Sequence, residues 1–413
     1  MRRPTTMTRS RIGLVLLLVL AFPGAGAPAA PARLELAHPV AGHDVHVSPP
    51  ALAVGADGAP MVAWITGSHG SNTVLLARPG EGGQPVRVNP PGTSVDSLHQ
   101  APGLAVGPGG EVYVTWSAAK PRPEGVLFAS DLYLSRSLDG GRTFEPPLRV
   151  NDDRPIAHSF EDLAVAADGT VLVGWIDSRE GYGRTATYVA RVVERGTRLE
   201  RVTRLDGGET CVCCRVSVSA GPGDAAAVAW RKVFPGDLRD MVLSRSDDGG
   251  RTFAAATLVH ADRWKITACP HRGGQVAADA RGRLYAVWYT EGTQGRPDVL
   301  LAVAPDGRRF GPPQRVHTAT GSVPDHPRLA VDKAGRGIVV WEDSTAVRRR
   351  ILLRSIVQGG RSLGPARTLS PAIKAWAPAV AVVPGGFLVA WHEEQFPAIK
   401  TVVLRVTAKE GGR

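Results

Sequence analysis

The sequence predicts an all-β fold, a β-propeller of seven four-stranded blades, from three observations. A unit of about 55 residues occurs seven times, each unit has a hairpin pattern, and no segment shows the apolar spacing of a helix. The units end at Trp64, Trp116, Trp175, Trp230, Trp288, Trp341 and Trp391. Consecutive tryptophans are 52, 59, 55, 58, 53 and 50 residues apart, so the repeat spans the whole chain. A six-bladed ring is the alternative.

Each unit contains the elements of one blade. Segments such as "LAVGADGAPMVAW" (52–64) and "LAVGPGGEVYVTW" (104–116) join a short apolar strand to an alternating strand through a glycine-rich turn. A third strand such as "DLYLSRS" (131–137) and a fourth such as "FEPPLRV" (144–150) follow. Four strands in a unit of this length are typical of a propeller blade.

The two ends of the domain are predicted to share a blade. The seventh unit stops after "TVVLRV" (401–406), one strand short, and "ARLELAHPV" (32–40) precedes the first unit. Pairing of these segments would close the ring and remove an exposed sheet edge.

The N-terminal segment has the composition of an export signal. Four arginines precede the apolar run "IGLVLLLVLAF" (12–22), and small residues follow it. We expect cleavage between residues 27 and 32, an exported product in the periplasm or beyond, and one propeller domain over 33–413. The apolar run is too short for a permanent membrane span, and no later stretch is longer.

The charge of the chain does not indicate a nucleic-acid partner. Residues 1–32 hold four arginines and no acidic residue, so the formal net charge of +11 falls to +7 once they are removed. The remaining basic residues are scattered and lack the interleaved aromatics of a single-strand binding surface. We expect a small-molecule or glycan ligand; the sequence does not indicate an oligomeric state.

Two turns carry a motif that is known from other proteins. "SLDGGRTF" (137–144) and "SDDGGRTF" (246–253) both fit S-x-D-x-G-x-T-F, and "APDGRRF" (304–310) is a degenerate copy. The motif resembles the Asp box, or BNR repeat, of the sialidase superfamily. The resemblance implies a propeller in which these aspartates stabilise the turn, on the side away from the active site.

Cysteine and histidine are concentrated just before the innermost strand of each blade, where a propeller's central pocket opens. Six of the seven units have one there, namely His46, His99, His158, Cys213, His271 and His326. Cys213 lies 17 residues before its tryptophan and Cys211 lies 19 before it; His271 and Cys269 have the same offsets in the next unit.

This register predicts that four side chains converge. Residues two apart in extended chain face the same way, so Cys211, Cys213, Cys269 and His271 are expected to share one spot beside Cys214. Thiolates and imidazole would suit copper(I) or zinc, and no other cofactor is expected. Three alternatives stay open: a Cys211–Cys269 disulfide, a strained Cys213–Cys214 disulfide, and a redox-active thiol site.

A second group of polar residues follows the tryptophans. Asp177, Arg231, Tyr289 and Glu291 are the candidate catalytic groups, because carboxylates that face one funnel could serve as general acid or base. The candidate ligand-binding residues are Arg215, Arg272, Arg328, His99, His158, His326, Asp343, His392 and Glu393.

The sialidase resemblance implies an activity that this chain matches only partly. Sialidases hold a substrate carboxylate with three arginines and use a Tyr–Glu pair and an aspartate. Arg215, Arg272 and Arg328 could form an anion clamp, and Tyr289 with Glu291 could mimic the pair. The expected N-terminal arginine motif is missing.

We therefore consider three functions. The first is an exported propeller that binds a metal ion or a small anion in a Cys/His-lined top pocket. The second is a sialidase-type glycoside hydrolase acting on acidic sugars. The third is a protein-interaction propeller with a disulfide-stapled mouth. Whether the protein is an enzyme stays open at this level.

Overall fold

The computed structural model describes residues 33–38, 46–68, 71–93, 95–96, 100–179, 181, 184–292, 295–395 and 398–407. The predicted signal peptide and His99 lie outside these residues. Among the described residues, no helix has the length and apolar character needed to cross a membrane.

The described residues form seven antiparallel sheets, one for each sequence repeat, which confirms the seven-bladed propeller. Blades 1 to 3 consist of these strands, in chain order: β2 (His46–Val47), β3 (Ala51–Val54), β4 (Pro60–Ser68), β5 (Ser71–Ala77) and β6 (Val86–Arg87); β7 (Gly103–Val106), β8 (Val112–Ala119), β9 (Ser130–Ser137) and β10 (Leu148–Arg149); β11 (His158–Val165), β12 (Val171–Asp177), β13 (Ala186–Val193) and β14 (Arg198–Arg204).

The strands of blades 4 to 7 are also given in chain order, which runs from the inner strand of each blade to the outer one. Their strands are β15 (Ser217–Ala220), β16 (Ala226–Phe234), β17 (Leu238–Ser246) and β18 (Thr257–Leu258); β19 (Gln275–Ala278), β20 (Leu284–Thr290), β21 (Asp298–Ala304) and β22 (Gln314–Arg315); β23 (Val323–Val331), β24 (Gly337–Ser344), β25 (Arg349–Val357), β26 (Ser362–Leu363) and β27 (Arg367–Thr368); β28 (Ala375–Val383), β29 (Gly386–Gln395) and β30 (Ala398–Thr407). A 3₁₀ turn, Gln358–Gly360, follows β25.

The outer strands are shorter than the sequence predicts. The segment predicted over 144–150 contributes only β10, two residues long, and β22 is equally short. Pro146–Pro147 and Pro312–Pro313 precede these two strands directly. Proline has no N–H to donate to the ladder, so pairing begins only after each pair of prolines.

The ring is closed by the first described strand. β1 (Arg33–His38) pairs antiparallel with β30 over six residues, from Arg33 opposite Leu404 to His38 opposite Ile399. Blade 7 therefore takes its outer strand from the start of the domain and its three inner strands from the end. This closure occurs as predicted, and it covers the edge of β30.

The repeated tryptophans lie on the second strand of each blade and pack between neighbouring blades. Trp175, on β12, is fully buried in a cluster that includes Tyr113 and Leu132 of blade 2. The other six tryptophans at this position are also buried. Since each blade covers the apolar face of the next, the core is continuous around the ring.

The two turns with the S-x-D-x-G-x-T-F pattern are held by local hydrogen bonds. The Ser137 hydroxyl accepts from the Gly141 N–H at 2.8 Å, and the Asp139 carboxylate accepts from the Thr143 N–H at 2.9 Å and from the Thr143 hydroxyl at 2.6 Å. The turn that follows Ser246 repeats the pattern. Gly141 has φ +88°, a conformation that glycine adopts without strain. The carboxylates of Asp139 and Asp248 therefore accept hydrogen bonds within their own turns.

Candidate functional site

A central cavity of about 630 Å³ opens where the inner strands begin, and all seven blades line it. Its two sides differ in chemistry. Blades 7, 1 and 2 contribute mainly apolar groups, including Pro49, Leu52 and Val380. Blades 4, 5 and 6 contribute Arg215, Arg272, Arg328, His271 and His326. The cavity volume lies in the range usual for small-molecule sites.

Bulges in three inner strands determine which side chains enter this cavity. β11, β23 and β28 each shift register near their start, and Phe160, His326 and Ala377 lie in these bulges at φ +61°, +44° and +56°. Phe160 and His326 line the cavity. Positive φ is costly for residues other than glycine, and such strain is concentrated at functional sites.

The bulge in β11 also explains why the position predicted for His158 is wrong. An extra residue reverses the alternation of side chains along a strand, so a constant offset from the tryptophan does not give a constant direction. His158 is fully buried, and its Nδ1 donates to the Ser130 carbonyl at 2.6 Å. Its Nε2 lies 3.5 Å from the Asp177 carboxylate, away from the cavity.

Two of the three predicted clamp arginines are already engaged. Arg272 donates to both carboxylate oxygens of Asp325, at 2.8 and 2.7 Å. Arg215 donates to the carbonyls of Glu161 at 2.6 Å and Ala101 at 3.0 Å. These contacts fix both guanidinium groups against the cavity wall.

Arg328 is the least satisfied of the three. Among the described residues, its guanidinium donates only to the adjacent Pro327 carbonyl, at 3.2 Å. Within the described part of the chain, no carboxylate oxygen lies within 4 Å of it. Burial, together with the like charge of Arg215, lowers the pKa of Arg328 to about 10. An anion placed between the two arginines would relieve this repulsion and complete the hydrogen bonds of Arg328.

His326 adds a titratable charge beside these arginines. Its Nδ1 lies 3.1 Å from a Glu342 oxygen and 3.7 Å from an Asp325 oxygen. Burial disfavours the imidazolium, but the Glu342 and Asp325 carboxylates outweigh burial and raise the pKa of His326 above its ordinary value.

Three of the four cysteines form one cluster beneath the cavity. The Sγ atoms of Cys211, Cys213 and Cys214 all lie within 4.8 Å of one another, and all three residues are buried. Cys211 Sγ is 4.0 Å from Cys213 Sγ and 3.1 Å from Cys214 Sγ. Cys213 also lines the cavity. Hydrogen bonding with Cys213 and Cys214 lowers the pKa of Cys211, whereas burial raises that of Cys214.

The fourth cysteine is not part of this group, so the predicted four-residue convergence does not occur. Cys269 is exposed and His271 lines the cavity, while all four cysteines are free thiols in this structure. The prediction assumed an extended strand, but β19 begins only at Gln275, and His271 has φ +52°. A Cβ on Gly273 would lie 2.2 Å from the Arg215 carbonyl, so glycine allows this segment to pack directly on blade 4.

The residues that follow the tryptophans connect neighbouring blades and do not line the cavity. Arg231, fully buried, donates to the carbonyls of Arg272, Arg239 and Tyr289. Buried His392 donates through Nε2 to the Ser48 carbonyl at 2.8 Å, and burial lowers its pKa to about 4.

The remaining candidates have local partners as well. Tyr289 and Glu291 are hydrogen-bonded, as a Tyr–Glu pair would be, but the Tyr289 ring is buried against Trp264 and Arg272. Asp177 accepts two hydrogen bonds from the Arg179 side chain, Asp343 lies 3.2 Å from His317, and Glu393 accepts from the Trp391 indole at 2.8 Å. These candidates are therefore held by local contacts and lie outside the cavity lining.

The structure adds three residues to the site that sequence analysis did not single out. Asp162 and Phe160 line the cavity beside Arg215, and Arg239 donates to Cys211 Sγ at 3.2 Å. Asp162 follows the β11 bulge, and Arg239 reaches the cysteines from another strand. The repeat pattern in the sequence does not indicate the placement of Asp162 or that of Arg239.

The fold and site define a seven-bladed propeller with an arginine-lined central cavity above a cluster of three thiols. No protein-family model matches the chain, and no curated protein matches it. Among solved structures, similarity extends to an ulvan lyase, described as a new polysaccharide lyase family and bound to -[GlcA(1-4)Rha3S]-. It is 12% identical, with TM-score 0.57, over 87% of this chain and 93% of that chain.

Two further solved structures show the breadth of this similarity. A protein of unknown function from Dyadobacter fermentans is 12% identical, with TM-score 0.53, over 90% of this chain and 98% of that one. A Hadza microbial sialidase is 12% identical, with TM-score 0.49, over 92% and 93% of the two chains. At 12% identity, the similarity to the ulvan lyase and the Dyadobacter fermentans protein shows the shared fold alone.

Proposed function

We propose that this protein is an exported Asp-box propeller that binds a small anionic ligand in its central cavity, an acidic sugar above all. The observation that carries the proposal is Arg328, a guanidinium in the cavity that faces the charge of Arg215 and has no carboxylate within 4 Å among the described residues. A planar guanidinium suits the two oxygens of a carboxylate or sulfate.

The apolar side of the cavity supports a sugar in preference to a bare inorganic ion. Pro49, Leu52 and Val380 offer surface to the carbon face of a ring, while Arg215 and Arg328 would receive its acidic group. A solved structure of the same fold, the ulvan lyase, is bound to -[GlcA(1-4)Rha3S]-, and this supports an acidic sugar as the ligand proposed here. The cavity supports binding more directly than sialidase-type hydrolysis, because the Tyr289 ring lies outside its lining.

Replacement of Arg328 by glutamine is expected to weaken the binding of glucuronate about tenfold to a hundredfold. Hydrogen bonds to charged groups contribute about 1.5–3 kcal/mol each, and the variant retains a polar side chain of similar reach. Isothermal titration calorimetry with glucuronate, and with glucose as the neutral analogue, measures the effect. Arg201→Gln, on exposed β14, is the matched control and should leave affinity unchanged. Equal affinity for glucose and glucuronate in the wild type would contradict the proposal.

Anion affinity is expected to decrease as the pH rises through the raised pKa of His326. The imidazolium is present below that pKa and adds positive charge to the cavity; above it, this attraction is lost. Glucuronate stays ionised throughout, so the change belongs to the protein. Calorimetric titrations between pH 6 and 9 test this, and His326→Gln should flatten the profile. An unchanged slope in that variant would assign the pH dependence to another group.

A further inference from the structure

The cluster of Cys211, Cys213 and Cys214 has a composition and geometry that the anion cavity does not explain. The three sulfurs are the only group of three or more metal-ligating side chains found among the described residues. Cys211 and Cys214 have the C-x-x-C spacing common in metal-binding turns. The Cys214 N–H donates to the Cys211 carbonyl at 3.4 Å, and this turn brings both sulfurs to one side.

The spacing of the sulfurs suits one metal ion. Sulfur atoms about 2.3 Å from a common centre lie about 3.8 Å apart in a tetrahedral arrangement and about 4.0 Å apart in a trigonal one. The observed Cys211–Cys213 separation is 4.0 Å, and the Cys211–Cys214 separation is 3.1 Å, with all three pairs within 4.8 Å. Small rotations of the side chains would give equal distances.

The charge around the cluster favours thiolates over a disulfide. Arg239 donates to Cys211 Sγ at 3.2 Å, and its buried Nε atom has no hydrogen-bond partner among the described residues. No carboxylate oxygen in the described residues lies within 4 Å of its guanidinium. A disulfide sulfur is a weak acceptor and would leave this cation without an anion, whereas a thiolate would balance it.

We propose that Cys211, Cys213 and Cys214 bind one Cu(I) ion in a three-sulfur site, with Arg239 as the neighbouring charge that stabilises it. Thiolate sulfur is a soft ligand that selects Cu(I), and three ligands without a fourth suit it better than they suit zinc, which prefers four. Binding displaces the remaining thiol protons and changes no oxidation state. Cys213 lines the cavity, so the ion can enter from there.

Titration of the reduced full chain with Cu(I), under anaerobic conditions and against the chelator bicinchoninate, tests the proposal. We expect one copper per chain and an X-ray absorption spectrum with sulfur alone in the first shell. Cys211→Ser, Cys213→Ser and Cys214→Ser should each lose the copper, whereas Cys269→Ser, which removes the exposed cysteine, should retain it. Copper retained by Cys213→Ser, or a first shell with nitrogen or oxygen, would overturn the site.

Two further measurements do not depend on the cysteine variants folding. In the wild type, under partly denaturing urea that exposes the buried thiols, Cu(I) should slow the reaction of three cysteines with iodoacetamide and leave that of Cys269 unchanged. Arg239→Gln keeps every ligand and should reduce Cu(I) affinity about tenfold to a hundredfold, as loss of an outer partner typically does.

Protein isolated from its exported location with zinc in place of copper, or with a Cys211–Cys214 disulfide that prevents copper loading, would overturn the proposal. The glucuronate affinity of the same samples reports separately on the anion cavity.

Discussion

Replacement of Arg231 by methionine is expected to lower the free energy of unfolding by about 3–5 kcal/mol, since each buried acceptor left without a donor costs about 1–3 kcal/mol. The guanidinium donates to three carbonyls, at 3.1, 3.0 and 2.7 Å, and packs 4.8 Å from the Trp264 ring centre. Methionine fills much of the same space but donates nothing. Urea denaturation followed by tryptophan fluorescence gives the change.

Two variants make the interpretation specific. Arg231→Lys keeps the charge but can reach fewer carbonyls, so its stability should lie between those of wild type and Arg231→Met. Arg201→Met removes an arginine from the exposed strand β14 and should change stability by less than about 0.5 kcal/mol. A loss below about 1 kcal/mol for Arg231→Met would show that the three contacts do not stabilise the blade interface, and would reopen a role in ligand chemistry.

Removal of residues 33–38 is expected to destabilise the domain by about 3–6 kcal/mol and to cause association. The deletion takes away the six-residue pairing of β1 with β30, and several ladder hydrogen bonds at about 0.5–1.5 kcal/mol each are lost. It also exposes the edge of β30, a template for pairing between molecules. Thermal unfolding, together with light scattering at several protein concentrations, measures both effects.

The register of β1 provides a rescue experiment. Arg33 lies opposite Leu404, near the end of β30, so a short linker from Thr407 to Arg33 would make the two strands an ordinary hairpin. A chain permuted in this way should recover the stability lost by the deletion. Glu35→Gln, which removes the ion pair with Lys400 but keeps the ladder, should cost less than about 1 kcal/mol. A stable, monomeric deletion variant would contradict the closure.

The fold was predictable from sequence because its signal is repeated seven times. Each tryptophan occupies the same buried place, so the spacing of Trp64, Trp116 and the others counts the blades directly. Ring closure followed from a missing strand at one end and a spare strand at the other. These inferences depend on strand alternation within a blade, which hydrophobic pattern determines well.

The site was less predictable because it depends on departures from the repeat. The bulge in β11 turns Phe160 into the cavity and leaves His158 buried, although His158 has the same offset from its tryptophan as Cys213. Cys269 likewise has the same offset from its tryptophan as Cys211, but the chain there is not extended. Arg215, Arg272 and Arg328 line the cavity, but the repeat pattern does not indicate that Asp325 engages Arg272.

The unequal halves of the cavity have a consequence for how a ligand would sit. Seven similar blades would give the central cavity nearly the same lining all the way round. A sugar in such a cavity could bind in several orientations about the propeller axis. Here the cations come from three consecutive blades, 4 to 6, whereas blades 7, 1 and 2 contribute mainly apolar groups. A molecule with one acidic end would therefore bind in one orientation and would present the same atoms to solvent.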